Sequence, residues 1–391
     1  MKGGGYLNFK IGDQNLIRFL TIIFLLFMIL VIIKKEDALT MFSSNLESFC
    51  TGGLCAIEGF TSANNNNSSN NFNIPNVKFP FRNLYDQKGR KLNIILITAP
   101  FRGSDHDKLF EDYKKQNNPK LEFMGISSYS EFPGKLSNPY EDRYHEKHNH
   151  DYQSMVKTWL HCFRQPDNYL KPSYLLPRLD ISESDFKDYI NSKPDPNIKK
   201  EYDFIYICLK DNDKCTPGWQ SYNRNWTLAK KCLITMCRKF NLKGAIIGRE
   251  NCDFTDLCSG IVKILPFLPY NEFQKELQKA KFIFVPNISD ASPRVLTEAM
   301  CYDLRLLVNY NLLGGWKYVT PQTGEFFTDE FDIEPAIQKL LDNYDNYHPR
   351  KYFSENYGKE RAGRKLADFI KQHYPNCIPS TNELEYVVPA I

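Results

Sequence analysis

The chain has 391 residues, 42% of them apolar, and a formal net charge of +4. That length accommodates two domains with accessory segments, and the apolar content is ordinary for a globular protein. The charge is small and acids and bases are mixed along the sequence, so no basic stripe is left for nucleic acid, and none is expected among the partners.

From the N-terminus, 19–33 is an apolar run extended across Arg18 by Leu16 and Ile17 and stopped by Lys34 and Lys35. It predicts a membrane helix over 16–33, a little short for a bilayer core of about 30 Å but lengthened by flanking cations that snorkel. A cleaved signal peptide competes with this, but no small-x-small cleavage site follows closely. Residues 1–35 are therefore read as tail and anchor. Basic residues stand on both sides of the run, so charge counting leaves its orientation open. Residues 36–90 are read as a flexible stem, because the Asn- and Ser-rich stretch 62–73 buries no core.

Four sequons, at Asn66, Asn67, Asn225 and Asn287, arise easily from this composition. Of eleven cysteines, Cys50 and Cys55 can pair in an oxidising lumen. Cys208, Cys232, Cys237 and Cys301 fall on predicted buried faces, where cysteine behaves as a small hydrophobe. The odd count leaves at least one thiol free, and no pair of CxxC units suggests zinc.

A first domain is expected over 91–198. KLNIILITAP is a strand, and the turn FRGSDHD at its carboxyl end carries Arg102, Asp105 and His106, with Gly103 permitting a tight turn. RYHEKHNHD holds His145, His148 and His150 but lacks the H-E-x-x-H spacing of a zinc helix and reads as a solvated loop. His161 ends a helix-like run from Tyr152. LLPRLDISESDF supplies the last strand and turn, and Pro194 and Pro196 mark a linker.

A second domain is expected over 199–345. EYDFIYICL is its opening strand, 226–240 an amphipathic helix with Leu228, Cys232, Leu233, Met236 and Cys237 inward, and LKGAIIG the next strand. The most informative stretch is 281–315, in which KFIFV and LRLLV are buried strands around a polar loop and the helical PRVLTEAM. Ligands of such sheets sit where strands end and helices begin, which places 289–294 at a site, and amides at that helix start favour phosphate. Residues 346–391 complete the chain as helices and a tail. Ala336, Ile337, Leu340 and Leu341 share one face of the helical region 331–373, whereas the final residues carry no readable signal. No G-x-G-x-x-G follows either domain's first strand, which excludes a dinucleotide-dependent dehydrogenase.

Asp290, seven residues and Glu298, followed by EAM, a buried strand and Gly314-Gly315, resemble the donor half of GT-B glycosyltransferases, specifically the retaining enzymes with a Glu-x7-Glu motif. The resemblance covers mainly 201–330, and Asp290 departs from the usual Glu. It implies an α/β, GT-B fold: two Rossmann-like domains facing a cleft, preceded here by the transmembrane helix and flexible stem, with the final helix crossing back to the first domain. Donor binding is expected to close the cleft. The resemblance further implies that Asp290 lies beside the donor sugar, that Glu298 holds the ribose, and that amides of Ala291, Ser292, Pro293 and Arg294 hold the diphosphate. Arg224, in YNRNW, matches the family's basic diphosphate ligand, with Lys210 as a second candidate and Gly248 near the base. Arg102, Gly103, Asp105, His106 and His161 are expected on the acceptor side. The donor would be a UDP- or GDP-sugar and the acceptor a glycan, protein or lipid, with no metal or cofactor tightly bound. The family's habit favours a type II anchor.

Two rival readings stand beside this one. Asp211-Asn212-Asp213, after the strand YDFIYICL, fits the D-x-D of a metal-dependent GT-A transferase. An anchored, inactive protein that binds glycans or partners would retain the fold, and the Asp at 290 and the short first domain favour it.

Overall fold

The computed structural model describes residues 74–116, 121–140, 150–252, 258, 260–378 and 383–390. The expected membrane segment, the stem up to 73, Cys50, Cys55, Asn66, Asn67, His145 and His148 lie outside them. Among the described residues no helix is long and apolar enough to cross a membrane.

Two six-stranded sheets organise these residues into two lobes. In the first the strands are β1 (Phe81–Asp86), β2 (Lys91–Ile97), β3 (Glu122–Ile126), β4 (Thr158–His161), β5 (Arg178–Asp180) and β12 (Val387–Pro389), in the order β12-β1-β2-β3-β4-β5. β2 to β5 run parallel, and β1 is antiparallel to both its neighbours. In the second lobe β6 (Tyr202–Ile207), β7 (Gly244–Ile247), β8 (Val262–Leu265), β9 (Ala280–Val285), β10 (Arg305–Asn309) and β11 (Gly324–Phe327) are all parallel, in the order β11-β10-β9-β6-β7-β8.

Parallel sheets covered on both faces need apolar residues at nearly every position, and the strands supply them. In the first lobe Ile94 and Leu96 of β2 face one core while Ile95 and Ile97 face the other. In the second, Ile205 and Ile283 pack with Leu296 and Ala299 on one side, whereas Phe204 and Phe282 pack with Leu233 and Ile337 on the other. The helices doing the covering are α1 (Ser104–Lys114) in the first lobe and α2 (Trp219–Asn223), α3 (Trp226–Ile234), α4 (Tyr270–Gln278), α5 (Arg294–Cys301), α6 (Ile333–Asp342) and α7 (Pro349–Asn356) in the second. The last helix, α8 (Lys359–His373), returns to the first lobe, where Leu366, Ala367 and Ile370 pack beside Leu84 and Val387.

Several expectations need correction here. β1 lies inside the residues read as stem, and β12 inside the tail read as featureless, so the first lobe is completed from outside 91–198. The run from Tyr152 to His161 is a single 3₁₀ turn and then strand β4, because Thr158, Trp159, Leu160 and His161 are all buried between layers. The helix expected over 226–240 ends as α3 at Ile234 and continues as a π-helical turn over Thr235–Lys239. Cys237 is a disulfide half-cystine joined to Cys258, and Cys215 is joined to Cys252. Both partners are remote in sequence, so a local burial pattern does not reveal them. Cys208, Cys232 and Cys301 are free and buried, as expected.

Candidate functional site

The carboxyl ends of the parallel strands in both lobes meet at one seam. In the second lobe, β9 ends at Val285 and the chain runs through Asn287, Ser289, Asp290, Ala291 and Ser292, all buried, into α5. Pro293 precedes the helix as its cap residue. Pro293 therefore supplies no amide, which corrects its place among the diphosphate donors. Orphan amides of the first helical turn, beginning with Arg294, are the groups such a helix start offers an anion.

Asp290 and Arg224 meet directly: Nη1 of Arg224 donates to Oδ2 of Asp290 at 2.9 Å. The other carboxylate oxygen accepts from the Ser292 amide at 3.1 Å, turning the loop back on itself. Burial raises the Asp290 carboxyl above its usual range, with the Arg224 cation working against burial. The pair leaves Arg224 with some exposure, its side chain 13% accessible against 5% for Asp290. Glu298, one turn into α5, is buried and accepts from the Tyr270 hydroxyl at 3.3 Å, and that hydroxyl accepts from Lys187 at 2.6 Å.

The following loop closes on the same place. Gly314 donates its amide to the Asp290 carbonyl at 2.9 Å, and any Cβ there would lie 1.9 Å from the Ala291 carbonyl oxygen. That contact makes Gly314 obligatory and joins the two halves of the motif. Gly248 has φ +95°, and a Cβ on it would meet Leu209 at 2.3 Å, so its requirement comes from packing of the β6 and β7 ends.

Arg294 turns toward the first lobe. Its guanidinium lies 3.1 Å from Glu183, a residue of the first lobe that Arg82 also approaches at 3.5 Å. Burial pushes the Glu183 carboxyl up, but Arg82 and Arg294 outweigh burial and hold it below the usual carboxylate range. Nothing in the sequence marks Glu183: it lies in a polar turn, and its partners are far along the chain. Beside it, Ser184 and Ser292 hydroxyls are 2.9 Å apart across the seam. Lys317 bridges Asp180 at 3.0 Å and Asp185 at 2.9 Å, and Tyr318 donates to Asp185 at 2.9 Å. These contacts bind the lobes to each other on the β5 side.

The acceptor-side candidates divide. Arg102 donates to the Tyr129 hydroxyl at 2.9 Å, and Tyr129 stacks with Trp219 of the opposite lobe, so Arg102 reaches the seam. His106 accepts from the Arg102 amide at 3.0 Å and packs edge-on against Phe79 and Phe101. Asp105 is exposed in the first turn of α1. Gly103 has φ 179°, an extended backbone open to any residue, so the expected tight turn is absent there. His161 is buried at the end of β4, opposite Asp180 in register; burial lowers its pKa to about 4, so it is neutral at physiological pH. His150, from the histidine-rich loop, pairs with Asp107.

The D-x-D residues diverge. Asp211 is turned inward, where it accepts the amides of Gln220 at 2.6 Å and Ser221 at 3.1 Å. Asp213 points to solvent and pairs with Lys210 at 3.0 Å. Among the described residues no group of three His, Cys, Asp or Glu side chains is placed to hold a metal ion. Of the sequon asparagines, Asn287 is buried, and Asn225, half-buried, donates its side-chain amide to the Pro286 carbonyl at 3.1 Å.

No protein-family model matches the chain, and no curated protein matches it in sequence. Among solved structures, sucrose-phosphate synthase from Thermosynechococcus elongatus superposes with a TM-score of 0.51 at 11% identity, over 72% of this chain and 74% of that one. HepE from Anabaena, solved with UDP and glucose, gives 0.51 at 9% identity over 71% and 78%. TarM gives 0.50 at 13% identity over 71% of this chain and 54% of its own. The two lobes built on largely parallel sheets, the strand ends meeting at one seam and the returning final helix are thus those of the GT-B fold, which this chain shares over about seven-tenths of its length.

Proposed function

We propose that the chain is a membrane-anchored glycosyltransferase that moves a sugar from a UDP- or GDP-sugar to a glycan, protein or lipid acceptor, with retention and without an essential metal. The observation that carries this reading is the Arg224–Asp290 pair at 2.9 Å, set beside the start of α5 with Glu298 on that same helix. A departing nucleoside diphosphate gains negative charge, and a guanidinium together with oriented helix amides stabilises it where water is excluded. Arg224 would exchange part of its contact with Asp290 for phosphate oxygens, to which its planar fork is suited. Asp290 would then orient the donor sugar and Glu298 the ribose. HepE's complex with UDP and glucose supports a uridine donor.

The apolar run 16–33 supports the anchor. Two disulfides support a catalytic part facing an oxidising compartment, such as a secretory lumen or an exterior surface, in a type II arrangement. A second reading, an inactive binding protein, draws on the fact that Arg224 and Arg294 are each already neutralised by a protein carboxylate.

The deciding experiment measures nucleotide release by the full-length chain from UDP-, GDP- and ADP-sugars, with and without chelator, beside Glu298→Ala. Release from one donor, insensitive to chelator and lost in the variant, is expected, and the anomeric configuration of the product by NMR reports retention. Chelator-sensitive turnover would remove the metal-independent mechanism. Absence of turnover and of any donor-induced thermal shift would leave the binding protein.

A further inference from the structure

Arg224 owes its position to α2, a helix of five residues too short to hold itself together. What holds it lies at the ends of β6 and β7. The Asp211 carboxylate accepts the Gln220 and Ser221 amides and the Ser221 hydroxyl, satisfying the orphan donors at the start of α2. Gly218 lets it in: a Cβ there would lie 3.0 Å from Asp211 Oδ1. Behind the carboxylate stands Arg249, only 1% exposed, which donates to Ser221 Oγ at 2.6 Å and Cys208 Sγ at 3.0 Å, lies 3.8 Å from Asp211, and covers the Trp226 ring at 4.8 Å. The Cys215–Cys252 disulfide ties the segment that follows Asp211 to the segment that follows Arg249. At the far end of α2, Tyr206 donates to the Arg224 carbonyl at 2.8 Å, and Asn225, with φ 50°, redirects the chain into α3.

We infer that Asp211, Arg249 and the Cys215–Cys252 disulfide form one positioning unit that aims Arg224 at the Asp290 loop, and that donor binding depends on the disulfide being intact. The inference rests on the proposed glycosyltransferase reading and adds to it a thiol-sensitive control of the donor site. A dithiol delivers two electrons and two protons to the Cys215–Cys252 bond, giving two thiols and its own cyclic disulfide, and the two segments then lose their covalent link while the Asp211–Arg249 approach and the Lys210 amide to Gly248 carbonyl bond remain. None of these groups touches the donor; they act through Arg224.

The test uses the full-length chain, oxidised and after dithiothreitol, with Cys215→Ser/Cys252→Ser, Cys237→Ser/Cys258→Ser, Asp211→Asn and Asp211→Ala. Donor KM and kcat are measured together with hydrogen exchange of the amides at 220–225. Opening the Cys215–Cys252 link, by reduction or by substitution, is expected to raise donor KM about tenfold with little change in kcat and to speed exchange at 220–225. The Cys237–Cys258 variant should do neither. Asp211→Ala should exceed Asp211→Asn, which keeps an acceptor oxygen. Equal effects from both disulfide variants would reduce the unit to general stability and overturn the proposal, as would an unchanged KM with unchanged exchange. If the oxidised wild type binds no donor, the glycosyltransferase reading fails and takes the donor claim with it. Exchange at 220–225 then decides by itself whether the unit holds α2.

Discussion

The loop 289–294 carries an ion pair at each end, and the two are built for different work. Arg224–Asp290 lies within the second lobe, whereas Arg294–Glu183 crosses the seam; the two arginines are similarly accessible, at 13% and 11%, and both carboxylates are buried, at 5% and 1%. In sequence the two arginines look alike, each a basic residue near a predicted phosphate loop. What separates them is the partner: Asp290 belongs to the same lobe as its arginine, whereas Glu183 belongs to the other lobe and is approached by Arg82 as well, so that pair fixes geometry between lobes.

Breaking the cross-seam pair should have the largest effect. Glu183→Gln removes the buried anion that two half-buried arginines, Arg82 and Arg294, share, and a loss of about 3–5 kcal/mol in unfolding free energy is expected, read as a shifted denaturant midpoint. Breaking the pair within the second lobe should reduce turnover: Arg224→Ala is expected to lower donor kcat/KM by about a hundredfold, near 3 kcal/mol. Because the Arg224 cation opposes the burial that raises Asp290, its removal should also move the acid limb of the pH profile upward.

His161, at the end of β4, ties stability to pH. Its pKa is lowered from 6.5 to about 4 by burial, so the unfolded chain binds a proton first as pH falls. Stability that is present above about pH 6.5 should therefore decline toward pH 4, by up to roughly 3 kcal/mol, and His161→Gln should flatten that part of the melting-temperature profile. The smallest effect belongs to Arg224→Lys, which retains charge but loses the fork. A donor KM about tenfold higher, with folding unchanged, would show that geometry matters beyond charge.

The second lobe was largely legible because its information is local. KFIFV, PRVLTEAM and LRLLV each carry their own periodicity, and they became β9, α5 and β10. Asp290, Glu298 and Arg224 could be placed relative to these elements because they sit at strand and helix ends. The first lobe was less legible because its edges are assembled at long range. FRNLYD mixes polar and apolar residues and becomes a strand only by pairing with KLNIILI and with a segment some 300 residues away, Leu84 opposite Pro389. The cross-seam cluster of Glu183, Arg294, Lys317 and Asp185 was invisible for the same reason, as were both disulfides. Pro293 was a different kind of miss, since its missing amide is evident from the residue itself.

The antiparallel pairing of β1 with β12 bears on the order in which the molecule is made. β6 to α6 form a continuous stretch whose sheet can close as soon as it emerges from the ribosome, whereas β1 and β2 emerge first and wait for α8 and β12 to cover Leu84 and Ile94. During synthesis the earlier-made lobe is thus the later to be finished, its apolar strands exposed while the second lobe takes shape. A stop codon a few dozen residues before β12 would remove nothing from the Asp290–Glu298 motif, yet it would leave the nascent chain's first sheet without its outer strand and without the helix that covers one face.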